Sequence, residues 1–384
     1  MNIVFFSNHL NLHQLPIADE LYKLTGGNFC FVETRPMTIS AMKGGKVDFS
    51  NRPYLIQAWK SEKCYLEAKS LAINSNVAVF GAESLEYEIL RMKTSQRLAF
   101  EMSERWLKRG WINLFSPRLL QYQWYYHTLF HNKPLYKLCS SAFAAGDQYR
   151  MYSFRNRCFK WGYFTNVDAD FDFKTLKQKE ISRKEKIHFM WCARFLTWKH
   201  PELPVLLAER LKSGGYCFQI DMYGEGEMLE TAKMLAQKLN VDDVVHFWGN
   251  VPNGQVLEQM RKHDIFLFTS DRNEGWGAVA NESMSNGCAL VGSDAIGSVP
   301  FLIKHRETGC QFQSQNIVSL EKETRWLLDN PIEINRIQHN AVKLMQEVWS
   351  PSKAAHSLLQ LINDLENGNT ISIDKGPCSK AELF

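Results

Sequence analysis

Two glutamates bracket a glycine-rich turn in the stretch Thr269-Ser-Asp-Arg-Asn-Glu274-Gly-Trp-Gly-Ala-Val-Ala-Asn-Glu282. Gly275 and Gly277 let a backbone approach a ligand closely and leave amides unused. The helix that this turn opens presents its N-terminus, where a phosphate is stabilised without side-chain charge. Carboxylates are poor partners for phosphate but good acceptors for sugar hydroxyls. With Glu274 in the loop and Glu282 about one turn into the helix, the pair can touch two parts of one extended ligand. A capped helix with two surface acids is the plain alternative; paired glycines weigh against it, because they cost helix stability unless something uses them.

A second constellation is Trp191-Cys-Ala-Arg194-Phe-Leu-Thr-Trp-Lys199-His-Pro201. Arg194 and Lys199 can pair with the two phosphates of a diphosphate, the guanidinium as a fork and the ammonium as a point charge. Taken alone, a basic loop is usually only solvated. Tyr223-Gly-Glu-Gly226 and Phe247-Trp-Gly-Asn-Val-Pro252 add glycine turns after apolar runs.

These loops need strands to position them. Short apolar runs alternate with helical patterns through both halves of the 384 residues, which argues for parallel sheets. In the first half, strands are expected at 2–6, 28–33, 77–80, 97–102 and 142–145, with a helix over 14–24. In the second half, strands at 186–191, 217–222, 244–247, 264–268 and 288–291 alternate with helices at 201–212, 227–239, 255–261 and 279–285. Residues 34–61 look like a long loop. Residues 117–131 form a helix candidate that is aromatic nearly all round. The expected organisation is a domain over 1–165, a polar linker at 166–185 and a second domain over 186–350. A helix at 351–367 is expected to pack back on the first domain, and 368–384 to be a polar, disordered tail. Two doubly wound Rossmann-like domains would present strand ends around a cleft, where such sheets take ligands.

Composition bounds the chemistry. Hydrophobic residues at 45% and charged residues at 22% suit a globular chain and exclude a fibrous or disordered one. Polar residues interrupt the first apolar run after Phe6, so the N-terminus reads as a buried strand rather than a signal peptide, and a cytoplasmic protein is the default. Nine scattered cysteines show no metal-ligand spacing, so neither a metal nor another cofactor is expected. Residues 1–165 carry 21 Lys and Arg against 12 Asp and Glu, whereas the remainder carries 24 against 29. A basic, aromatic half suggests an anionic partner or simply a solvated face. Resting on an anionic membrane and packing in the core are equally open for the aromatic helix.

Taken in order, these segments resemble the C-terminal domain of family 4 retaining glycosyltransferases, which have the GT-B fold. The family's Gly-Arg-Leu…Lys-Gly segment is matched by Ala193-Arg194-Phe195…Lys199-His200, its Gly-x-Gly turn by Gly224-Glu-Gly226 and its Phe-x-Gly-x-Val segment by Phe247-Trp-Gly-Asn-Val251. Its Glu-Gly-Phe-Gly…Glu stretch is matched by Glu274-Gly-Trp-Gly…Glu282. Its Gly-x-Pro-Val-Val-x-Ser-Asp and Glu-x-Gly segments appear as Gly287-Cys-Ala-Leu-Val-Gly-Ser-Asp294 and Glu307-Thr-Gly309. The resemblance covers residues 186–350 and is specific as an ordered set.

It implies transfer of a sugar, with retention and without a metal, from a nucleotide diphosphate sugar to a glycan or lipid-linked acceptor, as in bacterial surface polysaccharide synthesis. It implies that Arg194 and Lys199 hold the donor diphosphate, Glu274 meets the transferred sugar and Glu282 accepts from the ribose. Gly275, Trp276, Gly277, Ala278, Val279, Gly224, Trp248 and Gly249 complete the implied donor-binding set.

The first half departs from the family. Ser7-Asn-His9-Leu-Asn-Leu-His13 replaces the usual glycine pair, and Phe100-Glu101-Met-Ser103-Glu104-Arg105 stands where many members carry a histidine. His9, His13, Glu104 and Arg105 are therefore acceptor-side candidates only. A nucleotide-sugar epimerase or hydrolase and a non-catalytic sugar-nucleotide-binding protein are the rival readings. No GxGxxG follows either first strand, which disfavours a dehydrogenase, and no nucleic-acid-binding module is present.

Overall fold

The computed structural model describes residues 1–37 and 49–384. Gly44-Gly45, part of the expected long loop, lies outside them. The chain divides into two compact units, one of residues 1–166 with 348–384, the other of residues 167–347.

The first unit is built on a seven-stranded parallel sheet. Its strands are β1 (Ile3–Ser7), β2 (Phe29–Glu33), β3 (Leu55–Gln57), β4 (Val77–Phe80), β5 (Ala99–Ser103), β6 (Leu135–Cys139) and β7 (Cys158–Lys160), in the order β3-β2-β1-β4-β5-β6-β7. The central strands IVFFS and VAVF are buried on both faces, which is why they read as unbroken apolar runs. Residues 142–145, expected as a strand, instead enter the Ala144–Arg150 helix, and Leu135–Cys139 takes the sheet position through pairing with β5. Alanines carry little strand preference, whereas Leu135–Cys139 brings Tyr136 between buried Leu135 and Leu138.

The second unit carries a six-stranded parallel sheet: β8 (Ile187–Cys192), β9 (Phe218–Tyr223), β10 (Val245–Gly249), β11 (Ile265–Phe268), β12 (Ala289–Ser293) and β13 (Cys310–Phe312), in the order β10-β9-β8-β11-β12-β13. One face packs Phe189, Trp191, Ile220 and Met222 against Leu203, Leu207 and Leu211 of the Glu202–Ser213 helix. In both sheets the chain steps out from a central pair, β1 and β4 or β8 and β11, in opposite directions. A crevice therefore opens at the C-terminal ends of each pair.

Two expectations are corrected. Residues 166–185 are not a free linker, since they contain the Lys174–Arg183 helix, part of the second unit. The buried Lys179 ammonium donates to the carbonyls of Met260 (3.0 Å), His263 (2.7 Å), Asn286 (3.4 Å) and Gly287 (2.7 Å), and Arg183 pairs with Asp264 at 2.9 Å. The lysine-rich composition that suggested a linker is what caps these carbonyls. Nor is 368–384 a loose tail. Lys160 N donates to Ser379 O at 2.8 Å, Phe159 bridges Lys380, and Cys378 is buried. This segment extends the sheet at its β7 edge.

Burial pushes the Lys179 ammonium below its ordinary pKa, yet four carbonyls depend on it. Lys179→Met should lower stability by about 3 kcal/mol, measurable by urea denaturation, because it leaves buried acceptors unmatched.

Candidate active site

The crevice between β8 and β11 gathers the sequence's strongest residues. Trp191, in β8, donates its indole N–H to Thr269 Oγ1 at 2.9 Å, and that hydroxyl donates to Lys199 O at 2.7 Å. Asp271 N donates to Trp198 O at 3.0 Å. These bonds lace the loop after β8 to the loop after β11. His200 sits in the left-handed region (φ 51°), with Nδ1 2.7 Å from Glu202 and Nε2 3.5 Å from Asp271. The Glu202 hydrogen bond, with the charges of Glu202 and Asp271, raises its pKa against the opposing effect of burial.

Laced this way, Lys199 and Glu274, 75 residues apart, form an ion pair, with Ser270 Oγ donating to the same carboxylate oxygen at 3.1 Å. Both side chains are about one-tenth exposed. Lys199 also lies over the Trp198 ring, 4.2 Å from its centroid. Arg194 is exposed and forms no ion pair among the described residues, so its guanidinium is available to an anion.

Gly277 has φ +80°, and a Cβ there would come within 2.2 Å of the Phe268 ring. Only glycine lets this turn close over the end of β11. The amides of Gly277, Ala278 and Val279 precede the first turn of the Val279–Ser285 helix. Gly275 is buried in the same turn.

Glu282 lies farther along that helix, and burial raises its carboxyl to about 7. Its charge joins burial in pushing the Cys192 thiol, at the end of β8, up to about 12, while Lys199 acts the other way. One acid is thus fixed by a cation and the other is close to half-ionised at neutral pH.

Three implied donor contacts take a different form. The Trp276 side chain is wholly buried and donates to Asn281 Oδ1 at 2.8 Å, so only its backbone can face a ligand. Gly224 is dictated by packing: a Cβ there would sit 2.0 Å from Ala193 O, and Gly224 N donates to Gly249 O at 2.7 Å. Trp248 is exposed, lies parallel to Tyr223 and donates to Asp221 Oδ1 at 2.8 Å. It opens onto a hollow of about 690 Å³ on the sheet face. That hollow is roomy, but its central acid is already occupied. His263, Trp248 and Gln219 all bond to Asp221, which outweighs burial and holds its carboxyl at about 2. The smaller constellation around Lys199 carries more chemistry.

The acceptor-side candidates all fall in the first unit. Glu104 accepts from Lys108 at 2.9 Å and from Tyr163 at 2.7 Å, and Arg105 lies 3.8 Å from Asp147. His13 stacks parallel to Tyr163, and burial lowers its pKa. The His9 backbone N–H donates to Asn8 Oδ1 at 2.9 Å. Glu104 and Arg105 border a hollow at the ends of β1, β4 and β5; His9 and His13 are not among its lining. Sequence reasoning missed Thr269 and His200 as the lacing that holds the loops. The partners of Thr269 and the Asp271 carboxylate that faces His200 Nε2 are distant in the chain, and nothing local announces them.

Parallel α/β sheets in both units, with this crevice, are the architecture of GT-B glycosyltransferases. Residues 172–344 match the family model described as glycosyl transferases group 1. An uncharacterized glycosyltransferase of Haemophilus influenzae is 26% identical over 136 residues, which is 35% of this chain and 37% of the relative's own length. Among solved structures, Anabaena Alr3699/HepE in complex with UDP superposes with a TM-score of 0.69 at 12% identity, covering 95% of this chain and all of the other. The sucrose-phosphate synthase of Thermosynechococcus elongatus superposes with a TM-score of 0.69 at 14% identity, covering 96% of this chain and all of the other.

Removing one member of a nearly buried pair strands the other. Lys199→Ala should destabilise the protein by about 3 kcal/mol. Adding Glu274→Gln should restore most of that loss, as chemical denaturation of the single and double variants would show.

Proposed function

We propose that the protein is a glycosyltransferase that takes its sugar from a nucleotide diphosphate sugar bound in the β8–β11 crevice. The observation that carries this reading is the Lys199–Glu274 pair set beside Glu282 and the Gly277 turn. Arg194 and Lys199 hold the diphosphate, and the amides at Gly277 to Val279 add partial positive charge there. Together they stabilise the negative charge that grows as the bond between sugar C1 and the diphosphate oxygen breaks. Glu274 accepts from hydroxyls of the transferred sugar, and Glu282 accepts from the ribose. A new bond joins C1 to an acceptor hydroxyl, whose proton leaves with the diphosphate. We assign retention of the C1 configuration, no metal requirement and a glycan or lipid-linked acceptor, in keeping with the family resemblance. The Anabaena neighbour, crystallised with UDP, favours a uridine donor as the first to test.

The segment 112–129 favours work at an anionic membrane surface. No helix among the described residues is long and apolar enough to cross a membrane. The expected aromatic helix is a helical turn at Pro117–Gln123 running into a π-helix at Trp124–Leu129, with Leu119, Tyr126 and Phe130 packed inside. Ile112, Phe115, Leu120 and Trp124 are exposed, with Arg109 and Arg118 exposed among them. Apolar side chains interleaved with cations suit an anionic interface.

A thermal-shift and calorimetric screen of UDP-, GDP-, dTDP- and ADP-sugars without added metal tests the donor reading. One nucleotide should stabilise the protein, and Lys199→Ala should abolish the effect; no binding by any of them removes the reading. Because an ionised Glu282 accepts from hydroxyls more strongly than a protonated one, affinity should rise, by up to roughly tenfold, between pH 6 and pH 8 around its pKa of about 7. Glu282→Gln should flatten that profile. Vesicles of phosphatidylglycerol should sediment the protein and phosphatidylcholine vesicles should not, with Phe115→Ser and Trp124→Ser together abolishing the difference.

A further inference from the structure

A hollow of about 350 Å³ opens in the first unit at the N-terminal ends of β6 and β7, the opposite strand ends from those that border its crevice. Its floor is apolar. Tyr126, Phe130 and Phe154 are buried there, and the rings of Tyr126 and Phe154 lie 4.8 Å apart. Four basic side chains, His127, His131, Arg155 and Arg157, share the lining, which includes no Asp or Glu among the described residues. None of the four forms an ion pair among the described residues.

Exposed arginines are commonly only solvated, but the backbone here adds an independent sign. Tyr152, Phe154 and Asn156 all lie in the left-handed region, at φ 55°, 49° and 60°. A bulky aromatic residue is rare there, and such strain concentrates at ligand-binding segments. Its geometric effect is specific. Along an extended segment only alternate side chains share a face, whereas Tyr152, Phe154, Arg155 and Arg157 all reach this hollow. Another wall comes from the Trp124–Leu129 π-helix, where Phe130 N donates to Tyr125 O at 2.8 Å. Single π turns recur at functional sites, and this one brings Tyr126 and His127 to the hollow.

The arginine donors are open to a ligand. Arg155 makes only ring contacts, with Cζ 4.3 Å from the Tyr152 centroid and 5.2 Å from that of Tyr149. Arg157 gives one nitrogen to Lys133 O at 2.8 Å and lies over Tyr136, 5.7 Å from its centroid, which leaves the rest of its fork. Stacking on a ring orients a guanidinium without consuming its N–H donors. Two such forks, with imidazole N–H groups beside them, match the several oxygens and the double charge of a phosphate monoester. The apolar floor matches a flat or apolar body behind that phosphate, since an anion alone would leave the floor wet.

We propose that this hollow binds a phosphate monoester carried on a flat or apolar group, with Arg155 and Arg157 on the phosphate and Tyr126, Tyr152 and Phe154 against the body. Nothing in it requires a nucleotide-sugar donor.

Calorimetry and phosphorus NMR on the full chain, with phenyl phosphate, inorganic phosphate and phenol as probes, test the site. Phenyl phosphate should bind, inorganic phosphate should bind roughly tenfold more weakly, and phenol should not bind. Arg155→Ala should weaken phenyl phosphate binding roughly tenfold. Arg157→Lys, which keeps the charge and loses the fork, should weaken it by roughly threefold. Glycine suits the left-handed backbone at 152, so Tyr152→Gly should melt no lower than the parent and still bind phenyl phosphate more weakly. Arg194→Ala, in the second unit, should leave phenyl phosphate binding unchanged. Sedimentation with phosphatidic acid vesicles that Arg155→Ala reduces would make the ester a lipid headgroup. Sedimentation indifferent to Arg155→Ala, or none, would make it a soluble ester; both carry the proposal. Failure to bind phenyl phosphate, phenol binding as tightly, full retention of binding by Arg155→Ala, or loss of binding in Arg194→Ala overturns it. A parent that binds phenyl phosphate but no nucleotide keeps this site and loses only the donor reading.

Discussion

Both sheets place their chemistry by one constraint: two neighbouring parallel strands hand the chain off in opposite directions. Between β8 and β11, and again between β1 and β4, no crossover helix can cover the strand ends, because each connection leaves toward its own side. Much of what surrounds these crevices keeps those ends in place. In the second unit, Trp191 and Thr269 fasten the loops to one another. Lys179 gathers the carbonyls that lead into β11 and β12, and Gly224 allows its turn to lie against Ala193. The functional side chains are short additions to a frame held by backbone-directed bonds.

What the sequence made legible follows from how local each cause is. Residues 77–80 and 279–285 were expected with the limits the structure shows, since an apolar run or a glycine turn defines both ends. Lys199 and Glu274 were each singled out because each stands in a loop that follows a strand; that the two side chains pair with one another was not expected. Composition failed where a polar residue has a distant partner. Lys179 and Arg183 look like solvated linker charges until Asp264 and the carbonyls near Met260 and Gly287 are brought to them. Trp276 looked like a ligand contact because it stands between Gly275 and Gly277, both expected at a ligand; its side chain is instead wholly buried. His127 and Arg155 are ordinary residues far apart in the chain, and only the fold makes them neighbours of one hollow.

The basic surplus of the first half shows how net charge and site chemistry part company. Arg35, Lys137, Lys108 and Arg105, near the hollow at the ends of β1, β4 and β5, face Glu83, Glu101, Glu104 and Asp147. Arg118, on the lining of that hollow, is exposed, as is Arg109, among the apolar side chains of 109–124. A count over 165 residues cannot tell paired cations from exposed ones.

The first unit is discontinuous, closed by residues 348–384 after the chain has traversed the second. On the ribosome, the second unit emerges whole and in order, with nothing later needed to finish its core. The first must wait, with its β7 edge uncovered and the faces of the Leu15–Leu24 helix unmatched, until the Pro351–Glu366 helix arrives. At about 5–20 residues per second, translating the intervening 181 residues takes on the order of 10–40 s. Aggregation during synthesis is therefore a hazard of the N-terminal sheet, and a chain cut at residue 347 would join a finished second unit to an unfinished first.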